Sequence, residues 1–395
     1  MDPIGPITAP AQPRATAMGL IAAFCLLLIL PTVDSIFHFD YAPVPNENRM
    51  PARMPAAAEF GWRKESFAQV DAWFTDHFGF RKRLIRLFQR WSRKLGNKIN
   101  IDVMPGRDGW LFLTGLRSGE DHRGLLTLSP AQLDAARRLL ELRQSRLAAL
   151  GARYVLVIAP DKQSVNPDRM PEWHGPSRAR RLDQFLAHLR ESGCKVPVID
   201  LRPALLAAVA NRQTYFQKDS HWNDYGAHVG AVETVNRLRE LFPELGIREL
   251  PPAVVEKVIH GYVGDLVPMQ MNSSKAGETV ESLGPRLAVQ TATDLPAERL
   301  FFPPLRTINQ TAGPAVVVMH DSFGQAWFSS LGWAFGETVF VWNELKLYGI
   351  MRYDFVKRVR PAIVIQEQVE RIELNLDFEE LLRIDGEEAG KAIGR

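Results

Sequence analysis

From Arg153 onward the chain alternates short, unbroken apolar runs with amphipathic stretches of helical period, and this alternation constrains the fold more than any other feature. The runs predict strands at 153–159, 195–199, 315–319, 338–342 and 362–366. The periodic stretches predict helices over 178–191, 224–241, 324–331 and 352–360, with a longer one from Pro130 to Leu150 ahead of the first strand. Ser129 before Pro130 is a fitting N-cap, with proline at the first helical position. Strands apolar at consecutive positions are buried on both faces, so the expected architecture is α/β, a parallel sheet with helices on either side. Earlier, Gly106 to Gly109 reads as a turn leading into a strand at 110–113. The stretch 251–304 breaks the alternation with clusters of Gly, Pro and Ser, leaving room only for short strands such as 254–259.

In open sheets of this kind, ligands collect beyond the carboxyl ends of the strands. The residues just past the predicted strands are Asp161, Lys162, Asp200, His320, Asp321, Ser322, Asn343 and Glu367. Two segments stand out: Lys218-Asp219-Ser220-His221-Trp222-Asn223 and His320-Asp321-Ser322-Phe323-Gly324. An acid and a histidine two apart share one side of an extended segment, so Asp219 can orient His221 without any long-range coincidence. Ser322 follows an apolar strand and precedes a predicted helix start, where a nucleophile projects from the sheet near backbone donors. Together these are the parts of a Ser-His-Asp hydrolase or acyltransferase.

Each part also has a plainer explanation. Ser322 can be a helix N-cap, His221 a packed and hydrogen-bonded side chain, and Asp219 or Asp224 a cap for the helix starting near Asp224. The pairing of Asp219 with His221 and a strand-end serine outweighs these. His320 competes for the role of base, but His221 comes with its own carboxylate. Backbone donors at Ser322 and Gly324, with the Asn343 side chain, are candidates for stabilising an oxyanion. Trp222 and Lys162 complete the set of candidate substrate-binding residues.

Composition narrows the alternatives. With 395 residues, a net charge of +3, 46% apolar and 24% charged residues, the chain has the make-up of an ordinary folded body, without the charge excess of a nucleic-acid binder. It has nine histidines but neither H-E-x-x-H nor paired C-x-x-C, so no metal is expected; Asp219, His221 and His228 are the weak alternative. No glycine-rich phosphate loop is present, and no cofactor is expected. Cys25 lies within an apolar run, so no disulfide with Cys194 is expected.

That run, 15–33, contains no charged residue. A membrane-spanning helix needs roughly 20 largely apolar residues. Arg14 before it, with Asp34 and Asp40 after it, places 1–14 in the cytoplasm and the body outside. The expected arrangement is a single-pass signal anchor in the inner membrane with a periplasmic body. A cleaved signal peptide is the rival, although no small-x-small site follows Leu30. Residues 34–58 read as a proline-rich linker, 59–100 as an amphipathic basic helical region, and 101–395 as the catalytic domain. The basic run from Arg81 to Lys98 suits anionic lipid or an acidic polysaccharide, and equally a solvated helix face.

An ordered set of motifs spans most of the chain from about residue 45. It begins with Glu47-Asn48-Arg49, Pro51 and Pro55, then Trp73-Phe74-Thr75-Asp76-His77-Phe78-Gly79-Phe80-Arg81 and Asp108-Gly109-Trp110-Leu111-Phe112-Leu113. Ala159-Pro160-Asp161-Lys162, Asp219-Ser220-His221-Trp222 and Asp321-Ser322-Phe323-Gly324 follow. In this order they resemble the alginate O-acetyltransferase group, the AlgJ- and AlgX-like proteins with an SGNH-hydrolase-like domain. The resemblance implies a three-layer α/β/α fold with circularly permuted motif order, and a triad of Asp219, His221 and Ser322 with the serine last. It further implies an O-acetyltransferase acting on an exopolysaccharide, alginate or similar, through an acetyl-serine intermediate. The acetyl donor would be supplied by an integral-membrane, MBOAT-like acyltransferase. With no carbohydrate-binding module after the domain, the chain looks more like the anchored, single-domain member. A carbohydrate acetyl esterase and a non-catalytic scaffold of a polysaccharide export complex are the alternatives.

Overall fold

The computed structural model describes residues 14–37, 54, 64–80, 83–84, 87, 102–171, 180–270, 277–295, 302–310, 313–342 and 349–393. The chain forms two compact units, Met1–Ile99 and Asn100–Arg395. In the first, α1 spans Arg14–Phe37 and α2 spans Lys64–His77. Helix α1 runs four residues beyond the predicted 15–33 span and takes in Pro31. Its Asp34 is buried and accepts the Phe80 amide at 2.7 Å. The predicted membrane span is not found: among the described residues no helix is long and apolar enough to cross a membrane. Side chains at 20, 23, 27 and 28, central to the apolar run, lie outside the described residues. So do nearly all of the predicted linker and of the basic stretch after residue 80.

Among the described residues, the second unit is built on a seven-stranded sheet. Its strands are β3 (Arg153–Ala159), β4 (Val198–Asp200), β7 (Gln290–Thr291), β8 (Leu305–Ile308), β9 (Ala315–His320), β10 (Glu337–Trp342) and β11 (Ile363–Val369), in the order β4-β3-β11-β9-β10-β8-β7. The five from β4 to β10 are parallel. Strand β8 runs antiparallel to β10, and β7 antiparallel to β8. The sheet is therefore mixed rather than parallel throughout. An antiparallel neighbour needs no crossover helix, so a helix-poor stretch can supply it. Two small ribbons stand apart: β1 (Val103–Pro105) with β2 (Leu111–Leu113), and β5 (Val254–Tyr262) with β6 (Glu278–Gly284).

Alternation along the central strands feeds two cores. Val155 and Val157 of β3, Val316 and Val318 of β9, and Ile363 and Ile365 of β11 pack with Leu205 of α5 (Arg202–Val209) and Ala227, Ala231 and Val235 of α6 (Asp224–Leu241). Tyr154, Leu156, Val317 and Val364 share the second core with Leu139 of α3 (Pro130–Ala149) and Phe185 of α4 (Arg181–Glu191). Phe355 of α7 (Tyr353–Val359) and Leu381 of α8 (Phe378–Ile393) join it. Burial of this kind, at about 25 cal/mol per Å² of apolar surface, is the main force holding the layers together.

Two local devices position the site. Asn223 caps α6, its side chain accepting the Gly226 amide, which fixes the residues just before it. Gly226 is required there, since a Cβ would lie 2.0 Å from the Thr214 carbonyl oxygen. The helix predicted over 324–331 forms instead as two 3₁₀ turns, Phe323–Trp327 and Leu331–Ala334. Ser322 makes no capping bond to the first of them, so the usual N-cap of an α-helix is missing.

Candidate active site

Strand β9 ends at the turn carrying Ser322. Asp321 holds that turn in place: one carboxylate oxygen accepts the Phe323 amide and the other the Val369 amide of β11, both at 2.8 Å. The Ser322 hydroxyl, half-buried, points at His221, with Oγ 2.8 Å from Nε2. On the far side of the ring, His221 Nδ1 lies 2.7 Å from Asp219 Oδ1, which also accepts the His221 amide at 3.0 Å. With the Nδ1 proton facing the carboxylate, Nε2 is left to accept from the serine. The three side chains thus form one continuous hydrogen-bonded line.

Burial pushes the Asp219 carboxyl up, but the bond and charge of His221, with the amides of Asp265 and His221, outweigh this and hold it well below the usual carboxylate range. Burial likewise pulls the His221 imidazole down, yet the bond and charge of Asp219 and the charge of Asp265 raise it above its ordinary 6.5. The imidazole is therefore a stronger base than a free histidine, close to a hydroxyl it can deprotonate.

His320, the competing base, is elsewhere. It is 1% exposed, its Nδ1 donates to the Asp321 carbonyl at 2.7 Å, and its ring packs edge-on against Phe328, Phe340 and Trp342. Burial lowers it to about 4, so it is neutral and structural.

A family model described as "SGNH hydrolase-like domain, acetyltransferase AlgX" matches residues 103–336, more than half of the chain. The chain belongs to this family. Two curated proteins, both named probable alginate O-acetylase AlgJ, are similar to it: one from Azotobacter vinelandii, 28% identical over 147 residues, and one from Pseudomonas putida, 31% identical over 155 residues. Each alignment covers 36% of this chain and 36% of the relative's length. The solved O-acetyltransferase domain of Pseudomonas putida AlgJ covers 72% of this chain and 99% of its own, with 20% identity and a TM-score of 0.48. Pseudomonas aeruginosa AlgX covers 72% and 66%, with 17% identity and a TM-score of 0.48.

Within this AlgX-family domain, the other sequence candidates fall in unexpected places. Lys162 is turned into the interior. It is 2% exposed, and its ammonium donates to the carbonyls of Leu111 (2.7 Å), Gln217 (2.9 Å) and Asp219 (3.0 Å) over the rings of Trp110 and Phe112. Three donors matched to three carbonyls tie the segment before His221 to β2. Trp222 is buried too, its indole N–H donating to the Phe323 carbonyl at 3.1 Å. The Gly324 amide lies against the buried Glu367 carboxyl, which burial and the charge of Asp321 push well above its usual range. That leaves the Ser322 amide as the turn's candidate oxyanion donor. Asn343 lies outside the described residues.

No motif or spacing marks Tyr262 and Asp265, which both contact Asp219 Oδ2: the Tyr262 hydroxyl at 2.8 Å and the Asp265 amide at 3.0 Å. Among the described residues, Asp219, His221 and Asp265 are the group whose ligand atoms converge, within 4.8 Å. His228, of the metal alternative, is not in it. All three members are engaged in hydrogen bonds within the chain, the Asp265 carboxylate with Ser220.

Proposed function

We propose that this domain is an O-acetyltransferase, moving an acetyl group from an ester donor to a hydroxyl of an exopolysaccharide, alginate or similar, through acetyl-Ser322. The observation that carries the proposal is the unbroken line from Ser322 Oγ through His221 to Asp219, at 2.8 and 2.7 Å.

In the first step Ser322 Oγ attacks the acetyl carbonyl while its proton passes to His221 Nε2. The tetrahedral intermediate collapses, and the donor alkoxide leaves with that proton. In the second step a sugar hydroxyl gives its proton to Nε2 and attacks the acetyl-serine carbonyl. The Ser322 oxygen departs and takes the proton back. Asp219 holds the imidazole in the tautomer that presents Nε2 and stabilises it when charged. The Ser322 amide meets the developing oxyanion.

The acceptor class is supported by the family and by the names of the curated relatives. Location in the periplasm, with an N-terminal anchor in the inner membrane, is supported by the uncharged 15–33 run and belongs to the same proposal. So does an integral-membrane, MBOAT-like acyltransferase as source of the acetyl group.

The test is incubation of the purified protein with p-nitrophenyl acetate and a defined mannuronate oligosaccharide, followed by mass spectrometry. Acetyl-Ser322 together with acetylated sugar is the expected result. Free acetate alone assigns an esterase. Equal activity of Ser322→Ala and wild type overturns the proposal.

A further inference from the structure

The hydrogen-bonded line has outside partners, and they come from the β5–β6 ribbon. Strand β5 is exposed on both faces from residue 254 to 260, so the ribbon is not there to fill the core. Its base, however, closes on the segment 217–221 from both strands. Glu278, which opens β6, accepts the amides of Gln217 at 2.8 Å and Lys218 at 2.9 Å. Asp265, just past β5, accepts the Ser220 amide at 2.7 Å and the Ser220 hydroxyl at 2.6 Å. Gly264 packs so tightly on this segment that a Cβ would lie 2.3 Å from the Lys218 carbonyl oxygen.

Between these two grips lies Asp219. His221 uses its Oδ1, whereas Tyr262 and the Asp265 amide both donate to Oδ2. A carboxylate held at one oxygen can still swing about its Cβ–Cγ bond. Two further donors on the other oxygen stop that motion and keep Oδ1 aligned with the imidazole. The Asp265 carboxylate also lies 3.7 Å from His221 Nδ1.

We infer that Tyr262 and Asp265 are positioning residues that lock the Asp219 carboxylate and, through the Asp265 charge, set the basicity of His221. The inference rests on the acyl-transfer reading above. The charged groups acting on His221 are Asp219 and Asp265, which raise it, and Arg371, whose guanidinium opposes them; Asp321, behind the serine turn, also interacts with the ring. Around Asp265 are Asp219, His221, Tyr262, Lys162 and Arg371, with Ser220 as its hydrogen-bond partner; burial and the charge of Asp219 raise its carboxyl, and His221 and Ser220 oppose them. Glu278 holds the other end of the segment, and Lys162 spans it from Gln217 to Asp219.

The experiment follows p-nitrophenyl acetate turnover against pH for the full chain, with burst titration counting active sites. Asp265→Asn removes a negative charge beside the ring but keeps the backbone donor. The acid limb of kcat/KM is expected to move to lower pH by roughly half a unit or more. Tyr262→Phe is expected to lower kcat per titrated site about three- to tenfold at unchanged KM and burst amplitude. An Asp265→Asn limb that superimposes on wild type overturns the role of its charge. If that variant does not fold, an unchanged per-site kcat in Tyr262→Phe overturns the inference. Ser322→Ala run beside them separates the two readings, because full activity there removes the acyl-transfer proposal itself.

Discussion

The Trp222 indole donates to the Phe323 carbonyl, and the two rings meet edge-on with centroids 5.2 Å apart. These residues directly follow His221 and Ser322, so a buried contact one residue behind the chemistry sets the spacing of base and nucleophile. Phe323 also packs under the His221 ring at 4.9 Å, and Trp222 stacks on Trp327 at 5.5 Å. Replacing Trp222 with Phe keeps an aromatic ring but leaves a buried carbonyl without its donor. We expect a stability loss of about 1–3 kcal/mol in urea unfolding. Steady-state kinetics should show kcat down roughly tenfold with KM little changed, because alignment rather than binding is lost.

The pH dependence follows from His221. The imidazole must be neutral to act as base, and its pKa is raised above 6.5 by Asp219 and Asp265. kcat/KM should therefore climb with pH and reach half its plateau above 6.5. Stability from the same group runs the other way: it is complete below the unfolded pKa of about 6.5 and lost as pH rises through the folded value. Asp219→Asn should lower kcat by about 10³–10⁴-fold, since the ring then loses the partner that fixes its tautomer. A pH-rate profile paired with thermal melts checks both.

Lys162→Met tests whether the buried ammonium is structural. Burial pushes it down to about 7 against the pull of Glu278, Asp219 and Asp265, and methionine fills similar volume without the three donors. Three carbonyls are stranded by the change, so a loss of roughly 3 kcal/mol or more is expected in denaturant unfolding. A side chain serving only to bind substrate would instead raise KM and leave stability intact.

Glu373 offers a test of stability alone. It is 1% exposed, and burial pushes its carboxyl up to about 7 despite the charge of Arg143. The folded state thus holds a proton that the unfolded state releases near 4.5. The stability it contributes is present below about 4.5 and is lost by about pH 7. Glu373→Gln should match wild type near pH 4.5 and surpass it by on the order of 1–3 kcal/mol at pH 7 and above, measured by melts across that range.

How legible all this was depended on the distance between partners. Strand β3 and helix α6 have the predicted bounds, because Gly151 and Pro160 bracket one and Asn223 caps the other. The Asp219–His221–Ser322 set was readable because two members are neighbours on one segment and the third ends an apolar strand. Tyr262 and Asp265 gave no such signal: they lie 43 and 46 residues from Asp219, beside a strand whose exposure hides any burial pattern. Lys162 misled for a related reason. A strand end is where ligands gather, but here it is also where the segment before His221 crosses. The edge strand β7 and its neighbour β8, two and four residues long, are too short for a periodic signal to emerge.

The sheet order has a consequence for how the protein comes into being. Strand β11, the last among the described residues, lies between β3 and β9, and its Val369 amide holds the Asp321 carboxylate beside the serine. Until residue 369 has been made, the growing polypeptide has two unjoined half-sheets and an unanchored Ser322 turn. Every shorter translation product is thus expected to lack the acyl-transfer activity proposed above, and a chain cut before this strand to be both insoluble and inert.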